Sequence, residues 1–482
     1  MKIGKHILLL LVGITLLTSC EGRLTDDPTL GVEFSQDTLR FDTIFTEMKS
    51  TTLSVKIRNP HKEALLIESV KLREGEYFRL NLDNETDLSK VRDIVLRGKD
   101  SLYLFVACLP EKQNSSTPLL IEDEVVFSVN GHTQSLWLEA YGQDAVILGK
   151  DTILSDTVLS ANLPYLLRDT LIFAGKVTIP AGTEFYLHDY SAMFFLGDVE
   201  AQGTLEAPIL IRGDRLDNAS THIQYDYISG RWNGIYLLQP DDRPACSWWL
   251  NYVDIHSGTV GIYAVSYRTE SLPKLSLFNS RLHNFSLYGL VLQNTDATVA
   301  NTEISNCASY CVYLAGGKHT FTHNTIANYF GSGLQMHSVS REDVAAVYIN
   351  NLSKEQAEMQ TTFRNNIITG IRQNNLLVAT PLTDYYTGTF ANNYLRNDSL
   401  SIAGFKDNVY AENTDTMFVS SRYAPPDYLY FDFRLDSVSP ARNIGDKLTA
   451  KLLPTDRLGN SRLEDEGPDA GCYEWKPEAK EE

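Results

Sequence analysis

Asp254, Arg281 and Glu303 recur at steps of 27 and 22 residues, each directly before an aliphatic residue (Ile255, Leu282, Ile304) that is followed in turn by His256, His283 and Ser305. Brought side by side, these groups suit acid/base work on a polysaccharide. A carboxylate or imidazole moves a proton, and the Arg281 guanidinium neutralises the charge that develops. Asp254 and Glu303, placed two strands apart, would sit at roughly 9 to 10 Å between backbones, a separation compatible with inverting glycoside hydrolysis. The competing reading is a solvated sheet face with alternating charges, at about 0.2 to 1 kcal/mol per pair. On that reading Asp254, Arg281, Glu303, His256 and His283 are candidates, and none is assigned a catalytic role.

A second constellation is aromatic. Tyr236, Tyr263 and Tyr313 fall in one column with Val291 and Gln335, beside a column of small residues, and flat aromatic surface suits the apolar face of a sugar ring. Trp248 and Trp249 are expected in the loop leading to the next repeat, where they would extend the stripe as glycan-binding candidates. Strand propensity alone also places Tyr on sheet surfaces. Cys307 and Cys311 lie near His319 and His323 without a persuasive zinc spacing. No metal and no cofactor is expected, since a calcium site would need more oxygen ligands than align here.

The elements that must position these groups repeat. Asn279, Asn301 and Asn324 are 22 and 23 residues apart, and Gly234, Gly261, Gly289, Cys311 and Gly333 follow at steps of 27, 28, 22 and 22. Two columns at one period, with short alternating hydrophobic runs and no helical spacing, indicate a parallel β-helix with one coil per repeat. Ile255, Leu282, Ile304 and Ile326 should then stack inside it. Asn suits the bends because it tolerates left-handed backbone angles and its amide can bond to the Asn one coil away.

Val177-Thr178-Ile179-Pro180-Ala181-Gly182-Thr183, then Ala201-Gln202-Gly203-Thr204-Leu205, then Trp232-Asn233-Gly234-Ile235 resemble the start of the right-handed parallel β-helix of the pectin-lyase-like fold. The resemblance covers residues 150 to about 475. It implies the fold and no activity, because the same helix carries lyases, hydrolases, adhesins and binding scaffolds.

The 482 residues hold 42 Lys and Arg against 61 Asp and Glu, a formal charge of −19 that disfavours nucleic acid as a partner. Lys2 and Lys5, the apolar run Ile7 to Leu17 and then Leu17-Thr18-Ser19-Cys20 resemble a bacterial lipobox. This resemblance implies a signal peptide over 1–19, lipidation of Cys20 and anchoring to the outer membrane, on either the cell-surface or the periplasmic side. Five cysteines remain, so at least one thiol is unpaired.

A polar tether over 20–31 leads to alternating runs over 32–145, divided by Asn59-Pro60, Glu74-Gly75 and Asn130-Gly131. With Leu39-Arg40-Phe41 at one end and Leu138 to Gly142 at the other, they are similar to an Ig-like β-sandwich. Residues 150–230 should form the opening turns and N-terminal cap of the helix, 231–400 its coils with inserts at about 338–361 and 370–388, and 401–476 a C-terminal cap. In that last stretch Ser439-Pro440-Ala441, Asp456 to Arg462 and Asp469 to Glu474 resemble the tails termed choice-of-anchor Q. The expected fold class is all-β, a sandwich followed by a right-handed parallel β-helix. The expected function is a surface binding or structural lipoprotein directed at glycans. The alternatives are a polysaccharide lyase or glycoside hydrolase, and an adhesin for surface proteins.

Overall fold

The computed structural model describes residues 23–220, 223–331, 345–351, 357–379, 386–398, 404–412, 416–421, 431–464 and 466–477. Cys20 and its leader, Gly333 and Gln335 lie outside the described residues. The chain divides into two compact units, Met1–Asp144 and Ala145–Glu482.

The first unit is a β-sandwich of a four-stranded and a five-stranded sheet. Val55, Ile57, Leu104 and Val106 of one sheet and Leu65, Ile67, Phe127 and Leu138 of the other are buried in one core. The strands Leu119–Val129 and His132–Gln143 pair antiparallel through Asn130-Gly131. Both turn residues have positive φ, 49° and 75°, as a tight hairpin requires. Leu138 pairs parallel with Leu39, and Arg40 bonds Glu139 at 2.7 Å beside it.

The second unit is the helix. Among the described residues its strands form an 11-stranded and a 17-stranded sheet, and the long strands Tyr288–Ala300 and Tyr310–Thr322 run through two of the three faces. Ile211, Ile255, Leu282, Ile304, Ile326, Ile368 and Leu395 are in parallel register on successive rungs. All are at most 4% exposed. Burying such a side chain contributes about 1.5 to 3 kcal/mol, and parallel stacking repeats the gain at each rung.

Asparagines hold the corners. Asn279, Asn301, Asn365 and Asn392 have φ between 50° and 57°, and His323 takes the same conformation at 52°. One ladder runs from Asn301 to Asn279 to Asn251 at 3.1 and 2.8 Å. A second, buried as far as Asn393, runs from Asn324 through Asn366 and Asn393 to Asn408 at 2.9, 3.0 and 2.9 Å. In the column of small residues the backbones come close: a Cβ on Gly261 would meet the Gly289 carbonyl at 2.4 Å.

Within 401–476, Phe405–Lys406 and Val409–Tyr410 are the last strands of the two sheets, and further on Phe418, Phe433 and Ala470 pack against Ala327, Ile367 and Tyr394 on the 11-stranded sheet. The Gly471 amide donates to Asn365 O at 2.8 Å, Cys472 N to Thr325 Oγ1 at 3.1 Å, and Arg457 Nε to Ser280 O at 3.2 Å. The Asp456 to Arg462 and Asp469 to Glu474 motifs are the internal scaffold of this strap. Asp456 accepts the amides of Leu458, Asn460 and Glu474, and buried Arg462 bonds Glu474 and Asn301. Apart from the short pair Phe418–Ser420 with Asp432–Leu435, the described part of the segment is irregular and is held largely by such side-chain bonds.

Candidate functional site

Two outward columns stand on the 11-stranded sheet. One reads Glu184, Leu210, Asp254, Arg281, Glu303, Thr325; the other reads Tyr186, Arg212, with His256, His283, Ser305 and Ala327 continuing it. The strands Val253–His256, Arg281–Phe285 and Glu303–Cys307 thus bring together all five sequence candidates, with Asp254 beside Arg281, Arg281 beside Glu303, and His256 beside His283.

At the Glu303 end the ladder is closed. Arg281 Nε lies 3.0 Å from Glu303 Oε1, Ser305 Oγ donates to the same oxygen at 2.9 Å, and Tyr473 Oη of the strap donates to Oε2 at 2.6 Å. Glu303 is 2% exposed. Burial disfavours its charge, but Arg281 and the Tyr473 hydroxyl outweigh this and hold the carboxyl below its ordinary value. Glu303 is thus covered by the strap and bonded at both oxygens, which disfavours its use with Asp254 as a pair of catalytic carboxyls. Arg281 is committed to Glu303, which keeps the guanidinium charged against the cost of burial.

At the other end the histidines stack, ring centroids 4.6 Å apart and planes 23° from parallel. His256 Nδ1 is 3.0 Å from Asp254 Oδ1, and its Nε2 is 2.7 Å from Oδ1 of Asp226, which a short helical turn over Tyr225–Tyr227 supplies. Arg212 reaches the same Asp226 oxygen at 2.9 Å. His283 Nε2 lies 3.3 Å from Asp254 Oδ1. Burial opposes the His256 charge, but hydrogen bonds to Asp226 and Asp254 prevail and raise its pKa. Burial also opposes the Asp254 carboxylate, and the two imidazoles more than offset this, holding it well below the usual range. His283 goes the other way: burial, with Arg281 and His256 nearby, depresses it to about 4. Asp254, His256 and His283 offer three donor atoms within 4.8 Å of one another.

Sequence reasoning missed Asp226, Arg212 and Tyr473. Arg212 was findable, since Ile209-Leu210-Ile211-Arg212 continues the same pattern one rung earlier. Asp226 sits in an irregular segment with no period, and Tyr473 arrives from 170 residues away. Cys307, Cys311, His319 and His323 are all buried, the cysteines and His319 in the coil interior and His323 at a corner.

The aromatic column is longer than expected and different in kind. Phe194, Tyr236, Tyr263, Val291, Tyr313 and Tyr348 are in register, while Gln335 lies outside the described residues. Tyr288 and Tyr310 stand alongside. The rings cover one another, with Phe194–Tyr236 stacked at 4.6 Å and Tyr310–Tyr348 at 4.8 Å. Others are tilted, Tyr236–Tyr263 by 49° and Tyr313–Tyr348 by 55°.

Trp248 is corrected outright. It lies in the strand Ser247–Asn251, points inward with 0% exposure, and donates its indole N–H to Gly197 O at 3.1 Å. Trp249, next along, points outward, is 36% exposed and makes no ring contact among the described residues. It lines a cleft of about 560 Å³ with Lys176, Asp198, Glu200, Gln202 and Ser247. Lys176 Nζ is 2.9 Å from Glu200 Oε2, and Gln202 Nε2 donates to Glu200 Oε1 at 2.7 Å.

Comparison with curated protein sequences returns no match. Among solved structures, the ASH / PapD-like domain of human CEP192 (PapD-like domain 7) is 12% identical over 27% of this chain and 96% of its own, with a TM-score of 0.18. The VesB protease of Vibrio cholerae is 16% identical over 24% of this chain and 32% of its own, with a TM-score of 0.17. Likenesses at these scores carry no inference about fold or activity. The family described as "Right handed beta helix region" matches residues 233–413, the stretch where Ile255, Leu282, Ile304 and Ile326 stack, and this portion of the chain is a right-handed β-helix.

Proposed function

We propose that this chain is an exported β-helix protein, held to the outer membrane by acyl chains on Cys20, that binds glycan in the cleft around Trp249. The observation that carries the reading is the exposed indole of Trp249 set among Lys176, Asp198, Glu200 and Gln202. An indole face accepts the apolar side of a pyranose, while an ammonium, carboxylates and an amide at its rim exchange hydrogen bonds with ring hydroxyls. The tyrosine column suits this less well, because its rings pack against one another at varied tilts and Val291 interrupts it. Binding is favoured over polysaccharide cleavage, since the second carboxylate of the polar ladder is buried beneath the strap. Two or more acyl chains would anchor the protein durably, at roughly 0.8 kcal/mol per buried methylene.

The test is retention of the purified protein on gels containing acidic and neutral polysaccharides. Trp249→Ala and Glu200→Gln should each abolish retention, and Tyr263→Ala with Tyr313→Ala should leave it. Retention that survives Trp249→Ala, or release of new reducing ends, overturns the reading.

A further inference from the structure

We propose that Asp254, His256 and His283 bind one divalent transition-metal ion, with Asp226 holding His256 in the ligating tautomer. The three donor atoms lie within 4.8 Å of one another, close enough for one ion to draw them together. Metal–ligand bonds of about 2.0 to 2.2 Å in a tetrahedral site set neighbouring ligands roughly 3.3 to 3.5 Å apart. Asp254 Oδ1 lies 3.0 Å from His256 Nδ1 and 3.3 Å from His283 Nε2.

The tautomer follows from Asp226. Its carboxylate oxygen, 2.7 Å from His256 Nε2, can only accept, so Nε2 carries the hydrogen. Nδ1, which donates to Asp254 while no ion is bound, would release its proton on binding and turn its lone pair to the ion. A carboxylate behind a ligating imidazole fixes the ring and raises its basicity, and Arg212, at 2.9 Å, keeps that carboxylate ionised and oriented. On the other side, buried His283 Nε2 makes no well-aligned hydrogen bond, its nearest partner being Asp254 Oδ1 at 3.3 Å, and an ion between the two would satisfy both. Consecutive parallel strands fix both rings, which limits the ordering that binding requires.

Two imidazoles with one carboxylate select zinc, nickel, cobalt or copper over calcium or magnesium, which take oxygen ligands. Three protein ligands leave a fourth position for water or an anionic group, and Arg281 stands next to it in the Asp254 column. The neighbouring cations do not exclude a metal, because Arg212 is paired with Asp226 and Arg281 with Glu303. The ion would also fasten the Tyr225–Tyr227 turn to the sheet through Asp226.

The experiment uses the purified full-length chain stripped with EDTA, titrated with zinc chloride by calorimetry and with cobalt chloride by visible absorption. One zinc per chain and the intense visible bands of four-coordinate cobalt are expected. His283→Gln and Asp254→Asn should each weaken zinc binding at least 100-fold, Asp226→Asn by about 10- to 100-fold, and His132→Gln, an exposed site in the other unit, not at all. Circular dichroism checks that each variant is folded. Absence of a stoichiometric site in the unaltered chain overturns the proposal, as does zinc binding that persists in folded His283→Gln. If the ladder variants fail to fold, the cobalt spectrum of the unaltered chain decides: six-coordinate, weakly absorbing cobalt rejects the site.

Discussion

Tyr473 donates its phenolic hydrogen to Glu303 at 2.6 Å, across 170 residues of sequence. Both groups are buried, and the bond fastens the strap to the sheet at the point where Arg281 also meets Glu303. Tyr473→Phe keeps the ring and removes one donor from a buried carboxylate, so it should destabilise the helix unit by about 1 to 3 kcal/mol. Glu303→Ala should cost more, because it leaves the Arg281 charge without its partner. Thermal or urea unfolding monitored on both variants measures the difference. A Tyr473→Phe chain as stable as the parent would mean that the strap is held by its other contacts.

Asn366 serves both neighbouring coils at once. Its Oδ1 accepts from the Asn324 backbone and amide at 2.8 and 2.9 Å, and its Nδ2 donates to Phe321 O and Asn393 Oδ1, both at 3.0 Å. Asn366→Leu matches the volume and supplies none of these bonds. With several buried polar groups orphaned at about 1 to 3 kcal/mol each, the expected result is loss of the folded helix unit at moderate temperature. Unfolding curves should show the sandwich transition unchanged.

How much of this was legible depends on distance along the chain. Ile255, Leu282, Ile304 and Ile326 betrayed the coil because one rung follows the next within 22 to 27 residues and the aliphatic must face inward each time. The same reasoning aligned Asp254 with Arg281 and His256 with His283. It missed Tyr348, which pairs with Tyr313, because the strand Ala345–Ile349 falls inside the stretch 338–361 read as an insert. It failed at Trp248 because the preceding Pro-rich segment hid the strand that turns one Trp inward and the next outward. Above all it could not see that Glu303 is covered, since periodicity describes rungs and says nothing of a non-repeating tail laid across them.

His319 should make the helix unit sensitive to acid. It is 1% exposed, and burial lowers its pKa to about 3 from an ordinary 6.5. The folded chain therefore resists a proton that the unfolded chain accepts. Stability from this source is complete above about pH 6.5 and is lost as pH falls toward 3, at no more than about 1.4 kcal/mol for each pH unit crossed. Melting temperatures measured from pH 7 to pH 4 should fall, and His319→Gln should flatten the slope. His323, also depressed by burial, leaves a residual slope in that variant. An unchanged profile in His319→Gln would place the acid sensitivity elsewhere.

Gly261 and Gly149 separate two effects of the same substitution. Neither has positive φ, so an added methyl group restricts the unfolded chain in both and would by itself stabilise by about 0.4 to 1 kcal/mol. At Gly149 nothing lies within 4 Å of the new Cβ, and Gly149→Ala should raise the melting temperature slightly or leave it alone. At Gly261 the Cβ would stand 2.4 Å from the Gly289 carbonyl oxygen and 2.8 Å from Cζ of Phe285, both parts of a packed rung. Backbone on one side and a buried ring on the other cannot both retreat, so overpacking should exceed the entropic gain and destabilise by about 1 to 3 kcal/mol or more. Because each rung is the template for the next, the strain would spread to the Gly289 and Cys311 coils, and amide exchange should accelerate there before it does in the sandwich. If Gly261→Ala is tolerated as well as Gly149→Ala, the coils are not packed backbone to backbone along this column.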